Sequence, residues 1–203
     1  WRARCQGGRR RGGVAQVTYV NGNQIIAFDT GPGNAPVDDW MHAHSGRPVD
    51  EDGAFAATGK VDEAALAAML ADPFFERKPP KSLDRMDFGM EAVKGLEPAD
   101  GAATLTAFTA ASLAAARAHF PEPAANWIVS GGGRHNKTMM AMLKARANAP
   151  VLSAEDVGWD GDGLEAQGFA YLAMRSKLGV PLSLPTTTGV ALPMTGGKFH
   201  RKS

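Results

Sequence analysis

"NWIVSGGGRHNKTMMAMLKARANAPVLSAEDVG", residues 126–158, decides the fold. An apolar run ends in three glycines, a helical pattern follows, and a second apolar run closes the unit. Strand, turn, helix and strand in that order form the crossover that joins parallel strands. The pattern predicts a strand at 126–133, a helix at 136–147 and a strand at 149–158. Upstream, "TLTAFTAASLAAARAH" predicts a long helix over 104–119, stopped by Pro121 and Pro123. Downstream, residues 161–179 predict another helix. The last 20 residues show no clear period.

The earlier half reads differently. "GVAQVTYV", residues 13–20, alternates and is rich in β-branched residues, which predicts a strand. Asn21-Gly22 is a tight-turn signal, and "QIIAFDT" predicts the returning strand of a hairpin. A short helix is expected at 37–44, a polar loop at 45–60, and an Ala-rich helix at 61–70. "KPPKSLDRMDFG", residues 78–89, is a proline-bounded loop. Together these predict an α/β fold. Its mixed sheet, with the hairpin strands joined to the parallel ones, is flanked by helices and gathers its strand-ending loops at one edge, where ligands bind.

Composition narrows the function. The formal net charge of +1 points to neither nucleic acid nor membrane, but it hides an asymmetry. Five of the 22 basic residues, Arg2, Arg4, Arg9, Arg10 and Arg11, lie at the start, so the remaining 17 face 21 acids. Residues 1–11 are expected to be a disordered basic tail. The one cysteine, Cys5, excludes an internal disulfide framework. No apolar run approaches the roughly 18 residues of a membrane span. The start lacks the apolar core of a secretory signal, so a cytoplasmic location is expected.

Three stretches carry chemistry. In "VSGGGRHN" the glycines allow close approach of a ligand to bare backbone, and the helix beginning at Asn136 offers free N–H groups. That suits a nucleotide phosphate, or a tight structural turn. It matches neither the dinucleotide nor the Walker fingerprint. In "FDTGPGN" Asp29 ends a buried strand, with Gly31 and Gly33 leaving its flank open. Such a carboxylate is a general base, a magnesium ligand near a phosphate, or a turn residue bonding its own loop. Asp38 and Asp39 follow at a helix entry, where Asp38 favours the helix N-terminus. In "DGDGLEAQ" Glu165 occupies a first helical turn, where it complements the dipole or meets a polar substrate such as a sugar. The five histidines have no metal-ligand spacing, and no metal-binding residues are assigned. Lys81, Ser82 and Arg85 are donors in a flexible loop, free to meet an anion or simply solvated.

With these residues in hand, the chain resembles the anhydro-N-acetylmuramic acid kinase family over residues 12–199. The motifs occur in the family's order: "GGVAQVTYV", "FDTGPGNAPVDDW", "DPFFERKPPKSLDR", "TLTAFTAASLA", "SGGGRHN", "DVGWDGDGLEAQGFAYLA" and "GVPLSLPTTTG". The resemblance implies an actin-like, sugar-kinase-like (ribonuclease H-like) fold with ATP in a cleft between two lobes. It implies a cytoplasmic kinase of cell-wall recycling that uses ATP and Mg²⁺ on 1,6-anhydro-N-acetylmuramic acid. Asp29 would then be the catalytic base. Gly31, Gly33, Asn34, Asp38 and Glu165 would contact the sugar, and Gly131, Gly132, Gly133 and Asn136 the nucleotide. A homodimer is implied.

The chain departs from the family at its start, where the GTS…DG phosphate loop is not found. Residues 12–203 are accordingly expected to be the second, C-terminal lobe with the N-terminal lobe missing, and little or no kinase activity is expected of this polypeptide alone. The alternative is an inactive remnant, or a nucleotide- or sugar-binding module of the same fold.

Overall fold

The computed structural model describes residues 2–5, 13–198 and 200. The predicted hairpin forms from β2 (Val14–Asn21) and β3 (Gln24–Pro32), antiparallel, with Asn21 opposite Gln24 and Gly22 at φ 55° in the turn. Alternation in β2 sets its inner face: Ala15, Val17 and Tyr19 are buried and their neighbours only half so. The register slips between Ala15 and Gln16, so Ala15 faces Gly31 while Gln16 faces Asp29. Thr30 is the extra residue of this bulge, and its hydroxyl donates to the carbonyl of Ala15 at 3.1 Å.

Arg2–Cys5, inside the segment expected to be a disordered tail, form a strand, β1, antiparallel to β2. The free edge of β2 offers a ladder of backbone donors and acceptors, and backbone pairing does not depend on the arginines. The rest of that expected tail lies outside the described residues.

α1 (Ala35–Ser45), α2 (Glu63–Leu70) and α3 (Pro98–Ala115) follow. α2 is capped at Asp62, whose carboxylate accepts the Ala65 amide at 2.8 Å. α3 begins at Pro98, earlier than predicted, because proline is favoured in a first helical turn. It is nearly all buried and serves two cores. One holds Val17, Phe28, Leu113, Trp127, Val129 and Leu143. The other holds Trp40, Met41, Leu66, Met69, Leu105 and Phe108. Its small residues permit this crowding, as where Gly101 lies flat against the Trp40 ring.

β4 (Trp127–Val129), α4 (Lys137–Arg146) and β5 (Val151–Ser153) form the predicted parallel crossover, with Trp127 opposite Val151. Both strands are shorter than expected, since the glycine turn begins directly after Ser130 and a 3₁₀ turn takes 155–157. The single mixed sheet is not formed: β1–β2–β3 and β4–β5 are separate ladders, although β1 lies beside β4. α5 (Leu164–Lys177) and a short α6 (Pro185–Thr188) complete the chain. α5 buries none of its residues and exposes Phe169, Tyr171 and Met174. No helix among the described residues is long and apolar enough to cross a membrane.

Candidate active site

Strand alternation sets where Asp29 points: it lies opposite Gln16, on the face away from Val17 and Phe28, and the bulge follows it. Phe28, Asp29 and Thr30 are all buried in succession, because β3 is covered on both faces here, with the 81–83 segment lying over Asp29. The Asp29 N–H donates to the Lys81 carbonyl at 3.0 Å, and its Oδ2 accepts the Leu83 N–H at 2.8 Å. Burial pushes the Asp29 pKa up, while the Leu83 amide and a Gln16 side-chain hydrogen bond pull it down. The result is a carboxyl group fixed in direction and less acidic than a solvated one.

The flank expected to be open at Gly31 and Gly33 is taken by protein. A side chain at Gly31 would meet Ser112 Oγ at 2.6 Å, and one at Gly33 would meet the Gly13 carbonyl at 3.1 Å. The Gly33 carbonyl also accepts the Thr109 hydroxyl at 2.7 Å, which ties the turn to α3. These glycines let the turn sit tightly between β2 and α3. Asn34 stands at the entry to α1, and its side chain makes no capping bond.

Four and five positions later the acids divide. Asp39 pairs with Arg85, whereas the half-buried Asp38 accepts no hydrogen bond among the described residues. Burial raises Asp38 to about 6, with Arg85 opposing and Asp39 and Asp50 adding to the rise. Asp50 is itself consumed, accepting the Phe55 and Ala56 amides at 2.8 and 2.9 Å. The loop at 78–89 thus joins two predicted site residues: Leu83 grips Asp29 and Arg85 steadies the Asp38–Asp39 pair.

Lys81, in the same loop, is buried. Its Nζ donates to the Phe74 and Phe75 carbonyls at 2.9 and 3.3 Å. With Phe28, Thr30, Ser112 and His119 it lines a small cavity behind Asp29. Burial, and then the charge on Lys81, lower the His119 pKa, against a hydrogen bond with the Phe75 backbone.

The glycine turn follows β4. Gly131 has φ 76° and ψ −175°, a conformation easy only for glycine. Gly131 and Gly132 stay half-exposed, while Gly133 is buried. Asn136 caps α4, its Oδ1 accepting the Met139 amide at 2.8 Å. The Thr138 hydroxyl donates to the Gly53 carbonyl at 2.7 Å, so the turn at 51–53 covers the start of α4. Asp50 precedes that turn, and its charge adds the smallest part of the rise at Asp38.

Arg134 is the residue whose role sequence reasoning missed. Its side chain is 3% exposed and reaches Glu155, Asp162 and the Gly131 carbonyl, each at 2.9 Å. It fastens the glycine turn to the loop before α5. Glu165 lies exposed on the first turn of α5, and no hydrogen bond or ion pair among the described residues joins it to Asp29, Asp38 or the glycine turn. Among the described residues no group of three metal-ligating side chains occurs.

A family model described as anhydro-N-acetylmuramic acid kinase matches residues 10–201. The chain is 53% identical over 192 residues to a protein of that name from Rhizorhabdus wittichii, an alignment covering 94% of this chain and 53% of the relative. It is 53% identical over 193 residues to one from Paramagnetospirillum magneticum, covering 93% and 54%. It is 52% identical over 194 residues to one from Acidiphilium cryptum, covering 94% and 54%. The chain spans about half the length of the curated relatives it matches.

Proposed function

The chain belongs to the anhydro-N-acetylmuramic acid kinase family, and from that premise we propose that it supplies the general base and a nucleotide-facing turn for phosphorylation of 1,6-anhydro-N-acetylmuramic acid. In that reaction water adds to the anomeric carbon and the anhydro bridge opens. The freed O6 takes the γ-phosphoryl group, leaving N-acetylmuramic acid 6-phosphate and ADP.

The observation that carries this reading is the Asp29 carboxylate, buried at a bulge and held by the Leu83 amide. Asp29 takes the proton from the attacking water. Its raised pKa brings it nearer the working pH, as base catalysis favours. Asp38 and Asn34, whose side chains make no hydrogen bond among the described residues, bind sugar hydroxyls. Gly31 and Gly33 shape the turn that presents them, and Glu165 reaches the sugar from α5.

ATP fits the glycine turn on conformational grounds. Gly131 holds its backbone where a larger residue is strained, and the half-exposed Gly131–Gly132 edge admits a phosphate. Gly131, Gly132, Gly133 and the Asn136-capped start of α4 would hold it. ATP supplies the phosphoryl group. Mg²⁺ takes few protein ligands when phosphates supply the rest, so it needs no dedicated cage here.

The side-by-side order β3–β2–β1, with β4 and β5 beyond β1, supports an actin-like, ribonuclease H-like lobe. We assign the chain to the second lobe of a cytoplasmic, homodimeric kinase, the first lobe completing the phosphate clamp.

Calorimetry with MgATP and with the anhydro sugar tests the reading, alongside a coupled assay of ADP release. Both ligands are expected to bind, and Asp29→Asn should abolish whatever turnover exists while sparing binding. A chain that binds neither ligand overturns it.

A further inference from the structure

Lys81 is attached by main chain to both grips on Asp29. Its own carbonyl accepts the Asp29 N–H, and two residues later the Leu83 N–H meets the carboxylate. Its side chain is turned away from the site and is expensive. The residue is 7% exposed, and its Nζ makes no ion pair with a carboxylate among the described residues. The ammonium instead meets two carbonyls and lies 4.4 Å from the centre of the Phe74 ring and 5.8 Å from that of Phe28. Burial and the nearby Arg77 lower its pKa. A methionine of similar length would fill this space without the desolvation cost. What methionine lacks is the pair of bonds that staple residue 81 to the 3₁₀ turn at Pro73–Glu76.

We propose that Lys81 is a positioning residue for Asp29: anchored on the Phe74 and Phe75 carbonyls, it holds the Leu83 amide against the carboxylate and fixes the direction in which that carboxylate faces. The inference rests on Asp29 being the base, and it deepens that reading.

The test uses the 203-residue chain with ¹³C-labelled aspartate and needs no turnover. In Lys81→Met the Leu83 bond, which favours the charged carboxylate, is loosened. Asp29 should therefore titrate at higher pH than in the wild type. The Asp29 and Leu83 amides should exchange about five- to tenfold faster, the equivalent of one weakened hydrogen bond, while α4 amides stay unchanged. Lys81→Gln keeps a shorter, uncharged donor and should fall between wild type and Lys81→Met; if Lys81→Met does not fold, it carries the test. Folded variants with wild-type Asp29 titration and wild-type Leu83 exchange overturn the proposal. A wild-type chain that binds neither MgATP nor the anhydro sugar, but whose Lys81 variants show these shifts, counts against the kinase reading and leaves the positioning role standing.

Discussion

The Leu83 main-chain amide donates to Oδ2 of Asp29 at 2.8 Å across 54 positions of sequence. It stabilises the charged carboxylate while burial, the larger effect, favours the neutral acid. Replacing that acid by its amide removes the base and little else. Asp29→Asn should lower phosphoryl transfer about 100-fold or more, with the thermal midpoint changed by no more than one lost hydrogen bond, about 1 kcal/mol. ADP release read beside a melting curve checks this, and near-wild-type turnover would remove Asp29 from the role.

Asp38 gives a pH signature. Its folded value of about 6 lies above the ordinary 3.8, so the fold prefers the protonated form. Its stabilising contribution is complete below about pH 4 and is lost as the pH rises through 6. Asp38→Asn should therefore stabilise the chain at pH 7.5, by about 1 kcal/mol after allowance for solvent screening, and give no gain at pH 4. Sugar affinity should fall in the same variant. Denaturant midpoints at the two pH values decide the matter; equal effects at both would contradict it.

Gly53 combines φ 71° with a neighbour it cannot displace, since a methyl group there runs into the Asn136 amide that caps α4. Gly53→Ala should cost about 2–3 kcal/mol through the strained backbone and the displaced cap. It should also weaken nucleotide binding, because the cap adjoins the glycine turn. A variant as stable as wild type would show that the 51–53 turn yields freely.

Arg134→Met removes the bonds to three groups from a side chain that is 3% exposed, although its carboxylate partners can return to water. The expected cost is about 1–2 kcal/mol, nearer the value of hydrogen bonds than of a fully buried ion pair. Faster amide exchange at 131–134 should accompany it. Protected exchange there in the variant would assign the turn's rigidity to its glycines alone.

His119 titrates below its ordinary value because it is half-buried and feels the Lys81 charge. Removing that charge in Lys81→Met should raise it. Proton NMR of the imidazole measures the change, and an unmoved titration would mean that Lys81 is uncharged in the folded chain.

Elements with a strong local period were legible in the sequence. The β2–β3 hairpin, α1, α2 and the β4–α4–β5 crossover stand where alternation, turn residues and caps place them. Pro98 was available as a start signal for α3, but the apolar run that begins later drew the boundary forward. Whether β1 and β4 share a ladder depends on pairing between segments more than 100 residues apart, which no local pattern encodes. The site was half legible. Asp29 and Asp38 declare themselves by residue type beside glycines. Lys81 and Leu83 do not, because one acts through main chain and the other through carbonyls, in a loop that looks solvated. Arg134 carries no such signal either, as two of its three partners, Glu155 and Asp162, lie beyond its own turn.

The bulge at Thr30 behaves like a dropped stitch. It shifts the phase of β3 by one just beyond Asp29, so Asp29 keeps its place opposite Gln16 while Gly31 comes opposite Ala15. Deleting Thr30 would restore regular knitting beyond Asp29 and shift the Gly31–Gly33 turn by one position. Anyone grafting this turn onto another hairpin must therefore carry the extra residue across with it.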